Sequence, residues 1–183
     1  RNRAVLSAGI IATPVVLAQT AATSSETEEQ LEQVVVTGTR VANRSVLETS
    51  VPVDVVTSDA LQNLGVAELN QALAVALPSY NFPRPGLADG TDTVRPATLR
   101  GLSPDQTLVL VNSKRRHAAS LVNVNGTIGR GASAVDLNTI PNSIVKSIEV
   151  LRDGASAQYG SDAIAGVINL RLRDARDGGE LGV

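Results

Sequence analysis

Residues Ile148 to Asn169 read Ile-Glu-Val-Leu-Arg-Asp-Gly-Ala-Ser-Ala-Gln-Tyr-Gly-Ser-Asp-Ala-Ile-Ala-Gly-Val-Ile-Asn, and this stretch constrains the fold more than any other. Ile148 and Val150 alternate with Glu149 as a half-buried strand requires, and Asp153-Gly154 supplies a turn whose glycine tolerates positive φ. Ala155 to Gln158 suits one helical turn, which Tyr159-Gly160 ends. Gly166 lets backbone approach closely, and Val167, Ile168, Leu170 and Leu172 resume strand character beside Asn169, Arg171 and Arg173. Two strands joined by a short helix are thereby fixed, and the earlier chain must supply their neighbours.

Those neighbours can be read in order. Pro52 to Thr57 carries Val53, Val55 and Val56 and predicts the first core strand. Ser58 or Asp59 can cap a short helix through Leu64, with Gly65 as its stop. Val66, Leu69, Leu73, Ala76 and Leu77 recur at helical spacing before Pro78, which predicts an amphipathic helix whose apolar face is core. Tyr80 to Arg95 reads as a loop rich in Pro, Gly and Asp. Thr98 to Gly101 reads as a strand, and Leu108 to Val111 as a continuous apolar strand buried on both faces. Asn112-Ser113 turns the chain into a second long loop, Lys114 to Asp136. A short helical turn from Pro141 to Val145 precedes strand Lys146 to Leu151. The fold class expected is α+β: a small mixed β-sheet from the strands near Val53, Leu99, Leu108, Ile148 and Ile168, with short helices near Leu61, Leu69 and Ala157 and long polar loops. Strand order is not legible.

Upstream of the sheet the character changes. Arg1 and Arg3 precede an apolar run from Ala4 to Ala18 that reads as an export signal, with a buried core helix as the alternative; Pro14 and the run's length argue against a membrane span. Gln19 to Gln33 is rich in Thr, Ser, Glu and Gln, with little to bury, and is read with the polar Arg40 to Ser50 as a tether over 19–50. Between them Val34-Val35-Val36-Thr37-Gly38 is a β-branched run. It reads either as an extended segment able to add a strand to another protein's sheet edge or as the first strand of the domain.

Composition excludes several classes. A chain of 183 residues suits one core-bearing domain. A formal charge of -2, one Phe, two Tyr and no Trp disfavour nucleic-acid binding and argue that no membrane barrel, with its aromatic girdles, lies within this sequence. The absence of cysteine rules out disulfides and thiolate metal sites, and the absence of methionine suggests a fragment or a processed start.

Catalytic and cofactor motifs are equally thin. Gly126, Gly129 and Gly131 are not followed by the Lys-Ser/Thr pair of a phosphate loop. His117, Ser120 and Asp136 lie in one loop without a nucleophile elbow, so no hydrolase is read. His117, Asp89 and Asp92 lack clustered partners, so no metal site and no cofactor are assigned. Lys114-Arg115-Arg116 is either a solvated face or an attractor for an acidic ligand.

At Ile148 to Asn169 the chain resembles TonB-dependent outer-membrane receptors, whose plug carries a segment of the form I-E-V-x-R-G-P-x-S-x-x-Y-G-x-x-A-x-G-G-V-I-N. Leu99-Arg100-Gly101 and Ile140-Pro141 support the likeness, which covers roughly Val34 to Leu172. Asp153-Gly154 and Ala165-Gly166 depart from the family's usual Gly-Pro and Gly-Gly, and Asn112-Ser113 stands where the family has Asp-Gly. The resemblance implies a plug over 51–173, a connection to a barrel over 174–183, a location in the outer membrane, and no enzymatic activity. It implies that Glu32, Gln33, Val34, Val35, Val36, Thr37 and Gly38 form a TonB box taken by the carboxy-terminal domain of TonB. It also implies that a scarce nutrient, such as an iron chelate, meets loop residues Tyr80, Phe82, Arg84, Asp89, Asp92, Lys114, Arg115, Arg116, His117, Asn123, Asn125 and Arg130. Arg100, Glu149, Arg152 and Asp153 are expected to pair with the polar lumen of the barrel. The competing reading is a free periplasmic binding module with the same fold and no transport.

Overall fold

The computed structural model describes residues 51–86, 90–124, 128–153 and 155–174, which all belong to one unit within Gln33–Val183. The expected export signal, the tether, the Val34 segment, Asp89 and Asn125 lie outside the described residues. Among the described residues seven strands occur: β1 Val53–Thr57, β2 Tyr80–Asn81, β3 Thr98–Leu99, β4 Thr107–Val111, β5 Lys114–Arg115, β6 Val145–Leu151 and β7 Gly166–Leu172. Three short helices accompany them: α1 Ser58–Asn63, α2 Leu69–Ala76 and α3 Ser156–Tyr159.

Five strands form one mixed sheet in the order β1-β6-β7-β4-β5. The β1–β6, β6–β7 and β4–β5 pairs are antiparallel, and β4–β7 is parallel. The α+β expectation holds, with one reassignment. Leu99 is not in this sheet: β3 pairs with β2 in a separate two-stranded ribbon, Tyr80 opposite Leu99. Its place is taken by β5, within what the sequence presents as a cationic loop.

The organising stretch folds as its alternation requires. Val145, Ile148 and Val150 of β6 and Ile168 and Leu170 of β7 join Val56, Val109, Leu61, Leu69 and Leu73 in the main core. Helices α1 and α2 therefore cover one face of the sheet. On the other face Leu108, Leu110, Leu151 and Val167 pack with Ala155 and Ala163, which flank α3. Both faces of β4 are covered, which explains its unbroken apolar run. Gly166 stands where a side chain cannot: its φ is +142°, and a Cβ there would press on the Leu151 carbonyl and lie 2.7 Å from Leu99 Cδ2. This close approach seats the two-stranded ribbon against the sheet.

Helix ends differ slightly from expectation. Thr57 caps α1, its hydroxyl accepting from Ala60 N at 3.3 Å. Helix α2 begins at Leu69 because Glu68 is extended, with φ -82° and ψ 125°. The β4–β5 connection is a two-residue hairpin with Asn112 and Ser113 at φ 48° and 65°. Such a turn favours glycine, and without it the sequence shows a turn at Asn112-Ser113 but not the hairpin that it closes.

Candidate functional site

The loop that follows β2 is moored by one carboxylate. Arg84 Nη2 lies 3.0 Å from Glu68 Oε2 and also donates to Gln71 Oε1. Arg95 Nη1 reaches both Glu68 oxygens, at 3.1 and 3.2 Å. Glu68 sits at the amino-terminal end of α2, where a negative charge also meets the helix dipole favourably. Sequence reasoning missed it, since nothing in spacing links position 68 to 84 and 95. Phe82 packs against the main core, and Asp92 is exposed.

Tyr80 is not part of that loop. It lies in β2, is 4 % exposed, and donates its hydroxyl to the buried Asn70 Oδ1. Burial pushes its phenol pKa far above the ordinary value of 10.0, so the O–H stays a donor.

The second loop is more regular than its sequence suggests. Ala119 N donates to Ala134 O at 2.8 Å, Asn123 N to Ala132 O at 3.0 Å, and Val122 bridges Ser133. These contacts make a hairpin arm. Asn123 is buried, whereas Val122, Val124, Ile128 and Arg130 are exposed. Gly129, at φ +73°, packs where a Cβ would collide with the Pro104 ring.

The two loops meet. A Cβ at Gly90 would lie 3.2 Å from Leu121 Cδ1, so the backbone of the first loop rests on a side chain of the second. Lys114 and Arg115 are elsewhere: they pair with Val111 and Leu110 near the finish of β4, whereas Pro104 lies just before its start. Arg115 is engaged structurally, 2.6 Å from Asp162 Oδ2 and donating to the Tyr159 carbonyl. Arg116 reaches Thr139 Oγ1 at 3.4 Å, and His117 is exposed. Among the described residues no group of three or more His, Cys, Asp or Glu could hold a metal ion, and no helix is long and apolar enough to cross a membrane.

The charged residues expected to face a barrel have partners within the chain. Arg152 grips Asp54 through Nη2 at 2.9 Å and Nε at 2.8 Å. Arg100, at φ 58°, donates to the Arg152 carbonyl at 2.7 Å and lies 3.5 Å from Asp153. Glu149 is 1 % exposed, opposite Asn169 in the register, and accepts from Asn169 Nδ2 at 3.3 Å. Asn169 Oδ1 in turn accepts from Ser113 N at 3.0 Å, and Asn112 Oδ1 accepts from Leu172 N at 2.9 Å. Glu149 is thus a buried part of the sheet, because a carboxylate removed from water requires such hydrogen bonds. The hairpin turn, despite lacking the acid and glycine of the resemblance, still ties to β7 through side-chain oxygens.

A small sheet with both faces covered, two converging loops and a charge-clasped first strand make up the described unit. The profile of the TonB-dependent receptor plug domain matches residues 45–167, and the chain belongs to that family. Over 173 residues it is 30% identical to a protein named "Probable TonB-dependent siderophore receptor PirA" from Acinetobacter baumannii, covering 92% of this chain and 23% of that one. The ferrienterobactin receptor of Escherichia coli is 28% identical over 118 residues, 64% of this chain and 16% of its own length. Among solved structures, a ferric enterobactin receptor of Pseudomonas aeruginosa in complex with enterobactin superposes with a TM-score of 0.54 at 29% identity, over 69% of this chain and 18% of that one. The chain therefore spans less than a quarter of the relatives it matches.

Proposed function

We propose that the chain is the plug of a TonB-dependent outer-membrane receptor that gates energised uptake of a ferric siderophore. The observation that carries this reading is the family match across 45–167, joined to relatives named as siderophore receptors. In the proposal the remainder of the protein is a β-barrel whose lumen holds the plug. Residues 1–18 serve as export signal, 19–50 as tether, 51–173 as plug and 174–183 as the connection onward. No observation favours the free periplasmic module.

The TonB carboxy-terminal domain captures Glu32 to Gly38 by strand addition, a mode that needs an extended segment kept out of the core. The siderophore meets the junction where Gly90 rests on Leu121, with Arg84, Asp92 and Arg130 among the polar residues of the two loops. Tyr80 and Asn123 support these loops from within, since both are buried. Coupling between loops and tether requires that ligand affinity differ between the resting and pulled states. The test is deletion of Glu32 to Gly38 in the full-length receptor, with a panel of radiolabelled ferric siderophores. Binding is expected to persist and energised accumulation to vanish; accumulation at the original rate overturns the reading.

A further inference from the structure

Thr107 opens β4 with a hydroxyl that no protein group satisfies. The residue is 8 % exposed, and among the described residues its Oγ1 is buried without a hydrogen-bond partner. The alternation of the strand fixes where the side chain points. Leu108 and Leu110 pack on the α3 side of the sheet and Val109 on the side of the main core, so Thr107, two positions before Val109, faces the main core as well. A buried hydroxyl left unpaired costs free energy that a valine in its place would not.

On that side lies a small cavity. Its wall includes Thr107, Val109 and Ile168 of the sheet, Tyr80 of β2, and Ala134 and Val135 on the returning limb of the second loop. Its volume is about 10 Å³, room for one water molecule. Polar atoms are exposed on the wall alongside the aliphatic side chains. A cavity lined by hydrocarbon throughout stays dry, whereas one that offers polar partners holds water. A water brings two donors and two lone pairs, and the Thr107 hydroxyl can meet either. Ala134 O, which accepts from Ala119 N at 2.8 Å, retains a second lone pair for another donor. The Tyr80 O–H is committed to Asn70, so the phenol can offer the cavity only its oxygen as an acceptor.

We propose that this cavity is a binding site for one ordered water, held by Thr107 Oγ1 and by main chain of the returning limb, and that the water bridges β4 to the second loop. Gly129 already brings that loop against Pro104, just ahead of β4, by direct packing. Beside this contact the loop rests on the sheet through hydrogen bonds that a water carries, which are nearly as favourable as direct ones. The inference follows from burial and packing alone and does not depend on the uptake reading.

The test is a crystal structure of the full-length receptor at a resolution that orders internal waters, joined to one substitution whose sign decides. Density is expected within hydrogen-bond reach of Thr107 Oγ1 and of one further polar atom. A dry cavity in a well-ordered map, or a hydroxyl turned onto a protein acceptor, overturns the proposal. Thr107→Val keeps the shape of the side chain and removes the hydroxyl. Were the hydroxyl unpaired, the valine would relieve its desolvation and raise the urea midpoint of plug unfolding, followed in the full-length receptor through a fluorophore on the plug. With the water in place the valine strands it against a methyl group, so the midpoint is expected to fall. A midpoint that stays or rises overturns the proposal. Thr107→Ser, which retains the hydroxyl, is expected to keep the density and Thr107→Val to lose it; density that persists in the valine variant overturns the role given to Thr107.

Discussion

At single residues the chain stakes most on buried polar groups. Tyr80 donates to Asn70, and both are nearly inaccessible, so Tyr80→Phe leaves the Asn70 oxygen unpaired and is expected to reduce stability by about 1 to 3 kcal/mol in urea titrations. The pH dependence has a definite sign. The folded phenol is raised above its unfolded value of 10.0, so its contribution is complete below that pH. Above it the unfolded state releases a proton that the folded state keeps, and stability falls as pH rises. Comparing urea midpoints at pH 8 and pH 11 should show this fall in the natural chain, and Tyr80→Phe should lack the tyrosine's share. None of this is legible in sequence, where Tyr80 beside Pro and Asn reads as the start of a loop. Glu149 and Asn169 were both visible within the resembling stretch, but their contact depends on the β6–β7 register, which residue types alone do not give.

At the level of elements, alternation made β1, β4, β6 and β7 legible, because each needs covered positions at period two or a continuous apolar run. β2 and β5 were not, because two residues carry no period and Lys114-Arg115 presents only charge, whereas the strand read at Thr98 to Gly101 is β3, though it pairs with β2 outside the main sheet. The β4–β5 turn shows what glycine would have announced. Ser113 adopts φ 65°, a conformation L side chains resist, so Ser113→Gly is expected to raise stability by about 0.5 to 1 kcal/mol in the same titration. Gly166 is the opposite case. Gly166→Ala combines an unfavourable φ with a collision against Leu151 and Leu99, and is expected to lower stability by about 2 to 6 kcal/mol. An alanine variant with the original urea midpoint would show that the ribbon does not press on the sheet.

Across the whole molecule, the two loops named as candidates by their polarity do converge, but their cations do not act together: Arg84 and Arg95 moor a loop on Glu68, whereas Arg115 straps β5 to α3. Composition located the loops, and only the fold could assign partners to their charges. Deleting Glu32 to Gly38 belongs to this scale as well, since it separates ligand capture from energised passage. The strand order carries one further consequence. β6 and β7, which join β1 to β4, are the last two strands of the described chain. During synthesis nothing in the sheet links β1 and β6 to the β4–β5 hairpin until Gly166–Leu172 has been made. The pairing of Val53 with Leu151 also closes a loop of nearly a hundred residues. Such distant contacts slow folding, so the sheet assembles late and nearly all at once, after its final strand has left the ribosome.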